Sequence, residues 1–176
     1  MSSTSAGTIF QGTTDLHGAA GPLRVAIVVS RYNESITKRL LDAASHTLVA
    51  AGLPATGIDV AWVPGAFELP LVADRLAGSR RYAAVLCLGA IIRGETSHDR
   101  HIASAVGHGI EQSARTHGLP VLFGVLTCDT LAQALARAGG TAGDGYAGNK
   151  GRECAAAAIE MISLLARLPA VSPRPS

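Results

Sequence analysis

Four short, predominantly apolar runs, at 23–30, 58–63, 83–92 and 120–126, are each followed by a stretch whose apolar residues recur at helical spacing. No other feature constrains the fold as tightly. Strands apolar on both sides must be covered on both sides, and parallel strands need long crossovers, which helices supply. Helices are expected over 34–51, 66–76, 99–117, 130–138 and 150–168. Gly52 and Gly78 supply stop signals, and Asp129 or Thr130 supplies a cap for the fourth helix. The expected class is α/β, a flavodoxin-like three-layer sandwich. Its four-stranded parallel sheet has the order 2-1-3-4, with helices on both faces. One domain should span 21–168. A polar arm at 1–20 precedes it, with Ile9 and Phe10 available to add an edge strand to a neighbour, and a frayed tail with three prolines follows at 169–176.

Composition narrows the function classes. With 48% hydrophobic and 16% charged residues the chain is too apolar for disorder, and it is low in charge for a fully wetted monomer. Large subunit interfaces account for that shortage, and so does a generally alanine-rich composition. A net charge of +2 leaves no electrostatic footprint for nucleic acid. No apolar run has the length of a membrane span, and the N-terminal residues lack the basic and apolar regions of a secretion signal. Cys87, Cys128 and Cys154 show no CxxC spacing, so reduced thiols in a cytoplasmic protein are expected.

In a sheet of this kind ligands bind beyond the carboxyl ends of the strands. The loops to inspect are therefore 30–34, 63–68, 90–98 and 127–130. The third carries most of the chemistry. An apolar strand changes abruptly to Arg93-Gly94-Glu95-Thr96-Ser97-His98 at a helix entry. Gly94 permits close backbone approach, the N–H groups of the first helical turn point at an anion, and Arg93 adds a counter-charge. His98 can move a proton near neutral pH. The same residues, taken alone, also fit a plain βα turn with Thr or Ser as the helix cap and a surface histidine. Tyr32 at the first strand end can stack on a planar ring, and Glu68, with Ala66 and Phe67 beside it, can accept hydrogen bonds from hydroxyls. Phe123, Arg137 and Lys150 do not obviously belong to the same crevice. His98 and His101, with Asp99 between them, lack the spacing of an established metal motif, and no metal is expected.

The segments VAIVVSRYN (25–33), VPGAFELP (63–70), LGAIIRGETSH (88–98), VLFGVLT (121–127), RAG (137–139) and GNKG (148–151) occur in this order. Together they closely resemble the 6,7-dimethyl-8-ribityllumazine synthases, over about residues 22–168. The resemblance implies a cytoplasmic transferase of riboflavin biosynthesis that uses no cofactor. It would condense 5-amino-6-(D-ribitylamino)uracil with 3,4-dihydroxy-2-butanone 4-phosphate. The alternative is a paralogue that holds flavin or lumazine without catalysis.

Carried over residue by residue, the resemblance makes His98 the proton shuttle. Tyr32 would stack on the pyrimidine, Ala66, Phe67 and Glu68 would meet the ribityl chain, and Ala90, Ile91 and Ile92 would read the uracil edge. Gly94, Glu95 and Thr96 would cradle phosphate. Phe123, Arg137 and Lys150 would come from a neighbouring subunit, with Arg137 as the main ionic contact to phosphate. The implied partners are small-molecule substrates, further copies of the chain and, as a candidate, riboflavin synthase. Two departures stand out. Many members place an aromatic directly after the histidine and an acid next, whereas this chain has Asp99, Arg100 and His101. The acidic partner of His98 is then Asp99 or none. The segment 137–150 is also longer than in shell-forming relatives, which favours a free pentamer over an icosahedral shell.

Overall fold

The computed structural model describes residues 8–17, 21–139 and 146–169. Parts of the expected N-terminal arm, most of the glycine-rich loop at 139–148 and nearly all of the C-terminal tail lie outside the described residues. Strands β1 (Val25–Ser30), β2 (Ile58–Val63), β3 (Ala84–Ile92) and β4 (Val121–Cys128) form one parallel sheet in the order β2-β1-β3-β4. Helices α1 (Glu34–Ala50), α2 (Leu69–Gly78), α3 (His98–His117), α4 (Leu131–Arg137) and α5 (Lys150–Leu165) pack around it.

Alternation along the strands divides the core in two. Val25, Ile27, Val29, Leu86 and Leu88 point to the side of α1 and α5. Ala26, Val28, Val85 and Cys87 point to the side of α2 and α3. Every residue of β1 is buried, and β3 is buried up to Ile91. Removing one such Val, Leu or Ile side chain from water contributes about 1.5–3 kcal/mol, so the two central strands dominate the packing energy. The edge strands differ from a strand covered on both faces: Val60 of β2 is 43% exposed and Phe123 of β4 is 40% exposed. A four-stranded sheet has two edges, and among the described residues no strand lies beside their outermost positions.

Local chemistry explains the element boundaries. The second helix, expected from 66, is split into a 3-10 turn at Ala66–Glu68 followed by α2. Pro70 has no N–H to close an α-helical bond to Ala66, so the Ala66 carbonyl is met instead by the Leu69 N–H. Thr130, not Asp129, caps α4. Its hydroxyl accepts from the Gln133 N–H at 3.2 Å, and Gln133 Oε1 accepts from the Thr130 N–H at 3.3 Å. Gly52 follows α1 at φ 102°, where a side chain would be strained. Part of the segment expected to be a loose arm packs on its own chain. The Thr13 N–H donates to Ser163 Oγ at 2.6 Å, the Leu16 N–H donates to the Ala51 carbonyl at 2.8 Å, and Leu16 enters the core. Ile9 and Phe10 face outward. Among the described residues no helix is long and apolar enough to cross a membrane.

Asn149 is the polar keystone of the α1–α4–α5 side. It is fully buried. Its Oδ1 accepts from the N–H groups of Gly151 (2.8 Å) and Arg152 (3.4 Å), capping α5. Its Nδ2 donates to the carbonyls of Ala138 (2.8 Å) and Arg39 (3.3 Å), tying the end of α4 and the body of α1 to the same point. At the opposite end of the sheet from the strand-end loops, Arg24 grips Asp59 with contacts of 2.6 and 2.7 Å, and the Tyr82 hydroxyl donates to Asp59 at 2.8 Å. The hydrogen bond from Arg24, then that from Tyr82, hold the Asp59 carboxyl below the usual aspartate range.

Replacing Asn149 by Ala leaves a cap unmade and buried carbonyls unpaired, so the urea midpoint should fall by the equivalent of about 3 kcal/mol. The Asp59 cluster sets a pH dependence. Because its folded value is depressed, its contribution is present above the unfolded value of about 4 and is lost as pH falls through the folded value. Urea titrations on going from pH 5 to pH 2 should show Asp59→Asn losing less stability than the wild type.

Candidate active site

The carboxyl ends of β1, β2 and β3 open onto a cavity of about 920 Å³. The β1–α1 loop contributes Tyr32 and Asn33, and the turn before α2 contributes Gly65, Ala66, Phe67 and Glu68. The end of β3 contributes Ala90, Ile91 and Ile92, the following turn Gly94 and Thr96, and α3 the side chains of His98, Asp99, His101, Ile102 and Ala105. Three loops separated by tens of residues meet here because parallel strands deliver all their carboxyl ends to one edge of the sheet.

Hydrogen bonds hold these loops in register. The Arg31 and Tyr32 N–H groups donate to the Val63 and Pro64 carbonyls at 2.8 and 3.0 Å, joining the first loop to the second. Asn33 sits in the left-handed region at φ 60°, which asparagine tolerates better than most residues, and its Nδ2 donates to the Ala90 carbonyl at 3.0 Å. That contact joins the first loop to the third. Glu68 Oε2 accepts from the Gly65 N–H at 2.8 Å, so one carboxylate oxygen braces its own turn. Tyr32 and Phe67 leave 75% and 62% of their surfaces exposed, placing two open aromatic faces at the rim. Such faces suit a flat, partly polar ring.

The anion end lies where β3 runs into α3. Ser97 occupies the N-cap position but makes no side-chain cap. Thr96 Oγ1 lies 3.5 Å from the His98 N–H, the outer limit of a hydrogen bond. Of the two readings open at the sequence level, a turn firmly capped by Ser or Thr is therefore not what forms. The Arg100 N–H donates to the Ser97 carbonyl at 3.1 Å, so the His98 and Asp99 N–H groups are the first-turn donors left for an external acceptor. A Cβ on Gly94 would meet no atom within 4 Å, so the glycine keeps that space free. Arg93 does not line the cavity; it pairs with Asp129 at 3.5 Å on the exposed surface. Glu95 is exposed on the turn and its side chain is outside the lining. No described side chain hydrogen-bonds the His98 ring, so Asp99 shares the cavity with His98 without holding it.

Phe123, Arg137 and Lys150 are not among the lining residues. Phe123 sits on the β4 edge, in register with Cys87 and hence on the α2–α3 side. Arg137 and Lys150 bracket Glu153 of α5 at 3.0 and 3.3 Å. Burial draws the Glu153 carboxyl upward, but hydrogen bonds from Arg137 and Lys150 and their charges outweigh it and hold the group below its usual range. Sequence reasoning did not single out Glu153. Its spacing of three from Lys150 on one helix was the available signal. It also left His101, Ile102 and Ala105 off the cavity wall. The helical spacing of His98, His101, Ile102 and Ala105 marks them as one face.

Burial pushes up the thiols of Cys87 and Cys154, the latter to about 12, so neither supplies a thiolate. Among the described residues no group of three or more His, Cys, Asp or Glu could hold a metal ion. The arrangement can hold a flat ring against an aromatic face, an anion at the α3 entry and a proton on His98. A family model described as 6,7-dimethyl-8-ribityllumazine synthase matches residues 22–166.

Proposed function

The chain belongs to the 6,7-dimethyl-8-ribityllumazine synthase family, a family of riboflavin biosynthesis, and on that premise we propose that it condenses 5-amino-6-(D-ribitylamino)uracil with 3,4-dihydroxy-2-butanone 4-phosphate. The product is 6,7-dimethyl-8-ribityllumazine, with phosphate and water released. The observation that carries this reading is convergence. The motif segments at 25–33, 63–70 and 88–98 meet on one cavity that offers both an aromatic rim and an uncapped helix entry.

Tyr32 supports the pyrimidine. Ala66, Phe67 and Glu68 contact the ribityl chain, with the free Glu68 oxygen accepting from its hydroxyls. Backbone groups of Ala90, Ile91 and Ile92 read the uracil edge. Phosphate lies against Gly94, Glu95 and Thr96, through backbone N–H groups and the Thr96 hydroxyl. His98 carries protons between the amine, the ketone oxygen and the reacting carbon.

One need is unmet within the chain. The described residues lining the cavity include no lysine or arginine, although a phosphate dianion calls for one. Arg137 supplies it from a second subunit, with Phe123 and Lys150 beside the ring. The exposure of Phe123 on an open sheet edge supports that arrangement. In this assembly Arg137 leaves or shares its contact with Glu153. The assembly is a pentamer, and light scattering should give about five times the 17.9 kDa chain mass. A shell-sized particle would overturn that.

Lumazine absorbance, followed above the spontaneous rate, tests the function. His98→Ala should lower kcat by about 100-fold, the scale of a lost proton-transfer group. Arg137→Ala should mainly raise KM for the phosphate substrate, by about 10- to 100-fold, as expected for a lost charged hydrogen bond. The lack of an acidic partner on His98 among the described residues favours one second reading, a flavin- or lumazine-binding protein without catalysis. Tight flavin binding with no product above background would establish it.

A further inference from the structure

His98 and His101 both line the cavity, one turn apart on α3. At roughly 100° per residue, Asp99 and His101 fall on opposite flanks of His98. Helical side chains lean toward the helix N-terminus, which carries the His101 ring back toward the turn from which His98 projects. Among the described residues neither ring has a hydrogen-bond partner, and both are exposed to the space a ligand would fill. The ionisable groups facing them from other elements are Tyr32 of the β1–α1 loop and Glu68 of the turn before α2. Asp99 faces them from α3 itself, and Arg93 and Glu95 lie on the adjoining turn outside the lining.

We propose that His101 is a second proton-transfer residue of this site, working with His98 on the substrate. The inference rests on the condensation proposed above. That reaction moves protons repeatedly and in both directions. In imine formation the amine loses both of its hydrogens and the ketone oxygen leaves with them as water. In the phosphate-expelling step a base takes the proton from the carbon between the imine and the phosphate-bearing carbon. The C–H electron pair becomes a new C=C bond, the C–O bond to phosphate breaks, and phosphate leaves with that pair. The enol so formed takes a proton on its terminal carbon and gives one up from its oxygen, which makes a ketone; in ring closure the second amine attacks that carbonyl and a second water departs. A single imidazole that has just taken a proton cannot take the next until it releases the first. Two imidazoles facing one space let a neutral ring act as base while its protonated neighbour acts as acid.

The test compares wild type, His98→Ala, His101→Gln and His101→Ala, measuring kcat, both KM values and the pH profile of kcat. Because residue 101 is exposed, the variants should keep the wild-type melting temperature. His101→Gln should lower kcat by about 10-fold or more, leave both KM values within about twofold, and lose one limb of the pH profile. An active wild type with His101→Gln matching it in kcat and pH profile would overturn the proposal alone. So would a raised KM with unchanged kcat, which would make His101 a binding contact. A wild type that forms no product above background removes the reaction itself, and this inference falls with it.

Discussion

The parallel pairing of β1 with β3, both buried on their two faces, is the constraint on which the rest depends. Parallel strands cannot be joined by tight hairpins, so each needs a crossover long enough to contain a helix. Those helices must cover the sheet on both sides, because β1 and β3 leave no polar face to meet water. The outcome is two apolar half-cores, with α1 and α5 against one face and α2 and α3 against the other. Running all strands in one direction has a second effect: every carboxyl end emerges at the same edge. The cavity is a consequence of that direction, and its walls are the turns needed to leave the strands.

The two ends of the sheet are held by different chemistry. At the amino end Arg24, Asp59 and Tyr82 form a hydrogen-bonded polar cluster that joins the starts of β1 and β2 to the entry of β3. At the carboxyl end less is paired. The first turn of α3 has no side-chain cap, and among the described residues the rings of His98 and His101 have no hydrogen-bond partner. A polar end left unpaired beside two exposed aromatics is poor design for stability alone and suits a ligand that supplies the missing partners. The cations complete the contrast. Arg137 and Lys150 are held together by Glu153 away from the cavity, so the face rich in acceptor-seeking groups and the face rich in fixed charge lie apart in one chain.

Much of this was legible in the residues. The four apolar runs predicted the four strands, most sharply β1 and β3, because a strand buried on both faces has few polar positions to obscure its limits. The helices followed from apolar spacing, with ends moved by local effects such as the missing N–H of Pro70 and the Thr130–Gln133 capping pair. The turn at 93–98 announced itself through an abrupt change from apolar to small and polar residues. Less legible were contacts whose partners lie far away in sequence. The Asn33 side chain reaches Ala90 across 57 positions, and that of Asn149 reaches Arg39 across 110. Neither asparagine differs locally from one in an ordinary loop.

By itself, then, the sequence determined the element order, the parallel sheet and its two covered faces, the edge at which chemistry gathers, and the family to which the motifs point. Only the tertiary structure decided which polar groups are already used. It paired Arg93 with Asp129, placed Glu153 between Arg137 and Lys150, left His98 without an acidic partner among the described residues, and put His101 on the cavity wall. The reason is physical. Hydrophobic periodicity records burial along a single element, and burial alone fixes strands and helices. Hydrogen bonds and ion pairs depend on directions and distances between elements, which exist only after packing has set them.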